Sequence, residues 1–200
     1  MAKIGIMGGT FDPIHNGHLM LGRQAYVEYG LEQVWFMPSK TPPHKRDHRV
    51  TPVEDRLEMV RLAVEEYSYF SCSDFEIHRQ GNTYTAETLK LLHEEYPTHC
   101  FYFIIGADSL YQIEQWYHPK EVMEQAILLV AGREYEPIHI PMKEQIAYLQ
   151  ERYGAEIHLL HCQEMDISSG KLREMKSLGK EIRSFVPSTV AQYIESKQLY

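Results

Sequence analysis

The stretch GGTFDPIHNGH, residues 8–18, gathers the residue types that hold a phosphate group. Gly8 and Gly9 let backbone approach a ligand with no Cβ in the way. Asp12-Pro13 marks a turn. His15 and His18 stand three apart, and an imidazole donates an N–H hydrogen bond even when neutral. A helix is predicted from Asn16, a good N-cap, to Tyr29. His18 then lies in its first turn, where free N–H groups and the helix dipole favour an anion. A bare HxGH is equally two surface histidines on a glycine turn. Its place after a short apolar run and a Gly-Gly pair favours a phosphate cradle. Neither GxxxxGK[ST] nor GxGxxG is present, so this is no Walker loop and no dinucleotide fingerprint.

A second anion site is legible in DISSGKLR, residues 166–173. Ser168 is a candidate N-cap, Ser169 and Arg173 share a helical face, and Lys171 lies nearby. A guanidinium suits phosphate through paired donors; a capped surface helix with ordinary charges is the competing reading. Gly106 and Asp108 follow the apolar run CFYFIIG, where glycine admits a nucleotide and a carboxylate accepts from ribose hydroxyls or caps the next helix. Arg133, after ILLVAG, is either a phosphate contact or solvated. PSKTPPHKRDHR carries Lys40, Lys45, Arg46 and Arg49 against one acid, Asp47. This basic island is a solvated loop or a receptor for a phosphate monoester. Trp116 is a core residue or a plate that stacks on an aromatic ring. Thr85 is a candidate helix cap, and N–H groups around Thr85 and Ala86 are placed to receive a carboxylate.

These residues need a scaffold of alternating strands and helices. Strands are predicted at 2–8, 34–37, 70–75, 100–106, 127–132 and 156–160. Helices are predicted at 16–29, from Pro52 as first helical residue along the stripe Val53, Leu57, Val60 and Val64, from about Thr85, and at 141–153, 169–178 and 188–197. The alternation implies an α/β, Rossmann-like doubly wound fold: a mainly parallel sheet with helices on both faces and a small C-terminal helical part from about residue 168. Ligands in such sheets bind beyond the C-terminal strand ends, where Gly8-Gly9 and Gly106 fall. No linker divides the chain, so residues 1–200 read as one domain.

Composition bounds the partners. With 44% hydrophobic and 24% charged residues the chain is globular, and its net charge of −8 argues against general nucleic-acid binding. Cys72, Cys100 and Cys162 are dispersed, with no CxxC and no metal-ligand spacing. Free thiols, no signal-peptide pattern and no stretch of membrane-spanning length place the protein in the cytoplasm, away from membranes. A homo-oligomer remains open.

GGTFDPIHNGH resembles the signature of nucleotidyltransferases that carry an (H/T)xGH motif, and the nearer likeness is to the bacterial nicotinate-nucleotide adenylyltransferase family. PSKTPPHK (38–45), TYTAETL (83–89), FIIGADSL (103–110), WYHP (116–119), DISSGKLR and VPSTVAQYIESKQLY (186–200) carry the resemblance through nearly the whole chain. It implies ATP contacts from Gly8, Gly9, Thr10, Phe11, His18, Gly106, Asp108, Ser168, Lys171 and Arg173, with His15, His18 and Arg173 catalytic. It implies nicotinate mononucleotide contacts from Lys45, with His44 beside it, and from Thr85, Ala86, Trp116 and Tyr117. The expected products are deamido-NAD and pyrophosphate, by in-line attack without a covalent intermediate, with Mg²⁺ carried on ATP rather than in a protein cage. One departure stands out: the family pattern is ISxTxxR, and Gly170 occupies the threonine position. Nicotinamide mononucleotide or phosphopantetheine as acceptor, or a non-catalytic nucleotide sensor, are the alternatives.

Overall fold

The computed structural model describes residues 1–200 apart from 41–49, 80, 82, 133–139, 163–164 and 166. Six strands, β1 (Lys3–Gly9), β2 (Gln33–Pro38), β3 (Phe70–Cys72), β4 (Cys100–Ile105), β5 (Ile127–Ala131) and β6 (Ile157–Leu160), form one sheet in the order β3-β2-β1-β4-β5-β6. Every neighbouring pair is parallel. The chain builds outward from β1 to β3, then returns to place β4 against β1, pairing Ile4 with Phe101 and Ile6 with Phe103. That return is the topological switch, and a crevice opens where the two strands diverge past their C-terminal ends. Gly9 closes β1 and Gly106 follows β4, as expected.

Side chains alternate across the pleat and so feed two cores. Val34, Phe36, Tyr102, Ile104 and Leu129 face α1 (Asn16–Tyr29), α2 (Val53–Val64), α7 (Ser169–Ser177) and α8 (Ser188–Ser196). Ile6, Phe101, Phe103, Ile105, Leu128 and Val130 face α3 (Thr85–Glu95), α5 (Pro119–Gln125) and α6 (Met142–Tyr153). With both faces covered, the central strands read as unbroken apolar runs, as CFYFII and ILLVA do. The C-terminal helices join the first core rather than standing apart: Val190 and Ile194 are fully buried, and the Tyr193 hydroxyl donates to Asp55 Oδ1 at 2.8 Å.

Several expectations needed correction. The N-cap of α1 is His15, not Asn16, whose N–H is taken by the Phe185 carbonyl at 2.9 Å. Pro52 is the N-cap of α2, not its first residue, and Tyr84, not Thr85, is the N-cap of α3. The buried face of α2 runs through Arg56, Met59, Val60 and Ala63, leaving Leu57 half-buried, because Arg56 finds carbonyl partners inside the protein. Strand β3 stops at Cys72, where pairing to β2 ends. The segment 107–125 holds α4 (Ala107–Gln112), a 3₁₀ turn (Ile113–Gln115) and α5, each too short to show a helical period.

Candidate active site

The histidine pair is built by the turn that leaves β1. Phe11 adopts φ 48°, the Asp12–Pro13 peptide is cis, and His15 caps α1 in extended conformation. The His15 backbone N–H donates to His18 Nδ1 at 3.2 Å. Nδ1 of His18 is therefore the acceptor, and its neutral ring carries the proton on Nε2. The two imidazoles stack with centroids 3.7 Å apart, and Phe11 packs edge-on to His18 at 5.0 Å. Gly17 is glycine for a packing reason: a Cβ there would meet His15 Nδ1 and Ile167 Cγ2, each at 3.0 Å. His15 is 6% exposed, and its Nδ1 has no hydrogen-bond partner among the described residues. Burial pushes its imidazole down from 6.5 to about 4, so it is neutral at neutral pH.

Helix α7 is docked onto the same turn. Ser168 caps it, accepting from the Lys171 N–H at 3.2 Å, as the sequence implied. The shared face of Ser169 and Arg173 looks back at the turn: Ser169 Oγ donates to the Pro13 carbonyl at 2.9 Å, and Arg173 Nη1 donates to the Asp12 carbonyl at 2.6 Å. Gly170 sits in the first turn, where a Cβ would make only ordinary contacts, with Arg173 Nη2 at 3.9 Å and Ser168 Oγ at 4.0 Å.

Two cavities, of about 430 and 440 Å³, lie side by side over the strand ends. The first is lined by His15, His18, Gly106, Ser168, Ser169 and Gly170. The second is lined by Gly9, Thr10, Glu76, Thr85, Thr88 and Tyr117. Gly8, Phe103, Asp108, Ser109 and Trp116 line both. The sequence-derived ATP set is thus divided, with Gly9 and Thr10 on the second cavity. Phe11, 2% exposed, is a core prop for His18 and lines neither cavity. Lys171 and Arg173 stand behind Ser168 on α7, outside the lining of both cavities. Ala86 is buried beneath the second cavity, with its carbonyl accepting from Gln125 Nε2 at 3.3 Å. His44, Lys45 and Arg133 lie outside the described residues.

Sequence reasoning missed the polar groups under the site. Arg56, 1% exposed, donates to the carbonyls of Thr10 (2.7 Å), Thr51 (3.0 Å) and Lys40 (3.2 Å). Glu76 lies in the second cavity with its carboxyl pushed up by burial, against a hydrogen bond from the Thr88 hydroxyl at 2.8 Å that pulls it down. Arg79 Nη1 donates to the same hydroxyl at 2.8 Å, and the Arg79 carbonyl accepts from Lys40 Nζ at 2.6 Å. The only sequence signal for Arg56 was a cation interrupting the pattern of α2.

The Cytidylyltransferase-like family model matches residues 6–175. A probable nicotinate-nucleotide adenylyltransferase of Lachnoclostridium phytofermentans is 46% identical over the whole of both chains. The chain belongs to the nicotinate-nucleotide adenylyltransferase family. A family member of Bacillus mycoides is 38% identical over all of this chain and 99% of its own. The fold agrees with that of a Plasmodium falciparum nicotinic acid mononucleotide adenylyltransferase complexed with NaAD, at TM-score 0.79, 21% identity, and coverage of 100% and 98% of the two chains. As a member of this family the protein is a nucleotidyltransferase of NAD biosynthesis: it transfers the adenylyl group of ATP to nicotinate mononucleotide.

Proposed function

We propose that ATP occupies the first cavity and nicotinate mononucleotide the second, and that the adenylyl group crosses the wall they share. The observation that carries this reading is the stacked His15–His18 pair in the first cavity, beside Gly8, which lines both. His18, with its proton on Nε2, donates to the α-phosphate; His15 stays neutral and fixes the His18 ring by stacking. The N-terminus of α7, with Ser168, Lys171 and Arg173, receives the β and γ phosphates. The mononucleotide phosphate is already a nucleophile near neutral pH, so no general base and no covalent intermediate are needed. Catalysis then rests on positioning and on stabilising charge as pyrophosphate leaves.

The acceptor ring lies against Trp116, which is half-buried and lines both cavities, with Tyr117 stacked on Tyr84 at 4.4 Å beside it. Its carboxylate meets the first N–H groups of α3 at Thr85 and Ala86, which is where acid and amide acceptors differ. Lys45 is assigned to the mononucleotide phosphate by family resemblance.

Mg²⁺ carried with ATP would neutralise part of the phosphate charge, with phosphate oxygens and water as its main ligands. Among the described residues no group of three or more His, Cys, Asp or Glu side chains is placed to hold a metal, while Asp108 lines both cavities and can add one oxygen to an ion that ATP carries. Residues 1–200 act as one domain, since α7 and α8 share the core of β1, β2, α1 and α2. The free thiols Cys72, Cys100 and Cys162 suit a reducing cytoplasm. Among the described residues no helix is long and apolar enough to cross a membrane.

The test is pyrophosphate release from Mg-ATP with nicotinate mononucleotide, nicotinamide mononucleotide and phosphopantetheine offered separately. Release chiefly with the nicotinate nucleotide is expected. Equal release with the amide would remove the carboxylate role of the α3 N-terminus.

A further inference from the structure

The carboxylate of Asp12, 3% exposed, sits behind the histidine turn and faces three elements. Its Oδ1 accepts from the Tyr200 hydroxyl at 2.7 Å. Its Oδ2 accepts from the Thr51 N–H at 3.4 Å and lies 4.0 Å from Arg173 Nη1. That last separation is too long for a hydrogen bond, and Arg173 Nη1 directs one of its two N–H groups at the Asp12 carbonyl, at 2.6 Å. A buried carboxylate seeks the nearest cation. Here two neutral donors reach it, and the ion pair with the guanidinium stays long, at 4.0 Å, with no hydrogen bond between the two charged groups. The Arg173 side chain remains partly exposed, at 27%.

We propose that Tyr200 is a positioning residue for ATP: by occupying Asp12 Oδ1 it keeps the Arg173 guanidinium from closing onto the Asp12 carboxylate and holds it available to the triphosphate. The proposal rests on the reading of Arg173 as a phosphate ligand. Nothing else in the fold ties the segment after α8 to the histidine turn through a side-chain hydrogen bond among the described residues, and Tyr200 reaches it from 188 positions away in sequence. Removing the hydroxyl leaves Oδ1 buried without its donor, and a closer approach to Arg173, 4.0 Å from Oδ2, would supply one.

The experiment is a double-mutant cycle read by calorimetric titration with ATP, no acceptor present, on the wild type, Tyr200→Phe, Arg173→Ala and the double variant. Tyr200→Phe keeps the ring and deletes one oxygen. Each single change is expected to weaken ATP binding, Tyr200→Phe by roughly three- to tenfold, the scale of one ordinary hydrogen bond. The double variant should bind no more weakly than Arg173→Ala. Tyr193→Phe, which deletes the hydroxyl bond to Asp55 outside the lining of both cavities, serves as the structural control: it should lower the melting temperature and leave ATP affinity unchanged. If Arg173→Ala binds ATP as the wild type does, Arg173 is no phosphate ligand and the underlying reading falls. If Arg173→Ala is weakened but Tyr200→Phe is not, or the two losses simply add, the Tyr200 proposal is wrong while the role of Arg173 stands. Equal losses in Tyr200→Phe and Tyr193→Phe would likewise reduce Tyr200 to ordinary stabilisation.

Discussion

At the scale of single residues, the two histidines of one motif have different work because their surroundings differ. His15 is enclosed and held neutral, whereas His18 presents its ring to the first cavity. His18→Ala should lower kcat by about 10²–10³, the usual cost of removing one donor to a transition-state oxyanion. The KM for nicotinate mononucleotide should hardly change, and steady-state pyrophosphate release separates the two quantities. His15 makes a prediction about stability instead. Its imidazole titrates at about 4 in the folded chain and at 6.5 when unfolded. Between those values the unfolded state binds more protons, so stability is complete above 6.5 and falls as pH drops toward 4. The loss approaches ~3 kcal/mol for a shift of this size. Thermal unfolding of the wild type and His15→Asn from pH 7 to pH 4 should show the wild type losing more; parallel curves would refute a neutral, desolvated His15.

At the scale of elements, α7 is a lever pressed against the histidine turn by Ser169 and Arg173. The weak point of that lever is Gly170. Glycine inside a helix costs conformational entropy, and this position lacks the hydroxyl of the family pattern. A Cβ at this position would meet its neighbours at ordinary contact distance. Gly170→Thr should therefore leave the fold intact or stabilise it, by about 0.5 kcal/mol or less. It should also lower the KM for ATP roughly threefold or more, as expected for an added hydrogen bond to phosphate. A melting curve and an ATP saturation curve check both halves. A raised KM would mean that backbone at Gly170 already makes the contact a threonine would make.

At the scale of the whole molecule, the sheet order places the ends of β1 and β4 side by side and lets one wall serve two cavities. Trp116 belongs to that wall. Trp116→Ala should raise the KM for the mononucleotide roughly three- to tenfold through lost stacking, and should raise the KM for ATP as well. Thr85 lines the second cavity alone, so changes there should spare ATP. Saturation curves in each substrate distinguish these patterns.

The sequence alone determined the alternation of strands and helices, because apolar period and turn residues are local properties. It also determined the histidine motif and the capped helix at Ser168, because each is contained in a few consecutive residues. It could not place Arg56: a cation on the buried side of α2 is favourable only where the carbonyls of Thr10, Lys40 and Thr51 converge, and those come from distant segments. For the same reason it missed the cap at His15, which depends on the Phe185 carbonyl taking the Asn16 N–H. It grouped Gly8, Gly9 and Thr10 because they are consecutive; only the tertiary structure shows that Gly8 lines both cavities while Gly9 and Thr10 line the second. Tertiary structure alone decided the join between Tyr200, Asp12 and Arg173, since a hydrogen bond across 188 positions exists only once the C-terminal segment has folded back onto the turn after β1.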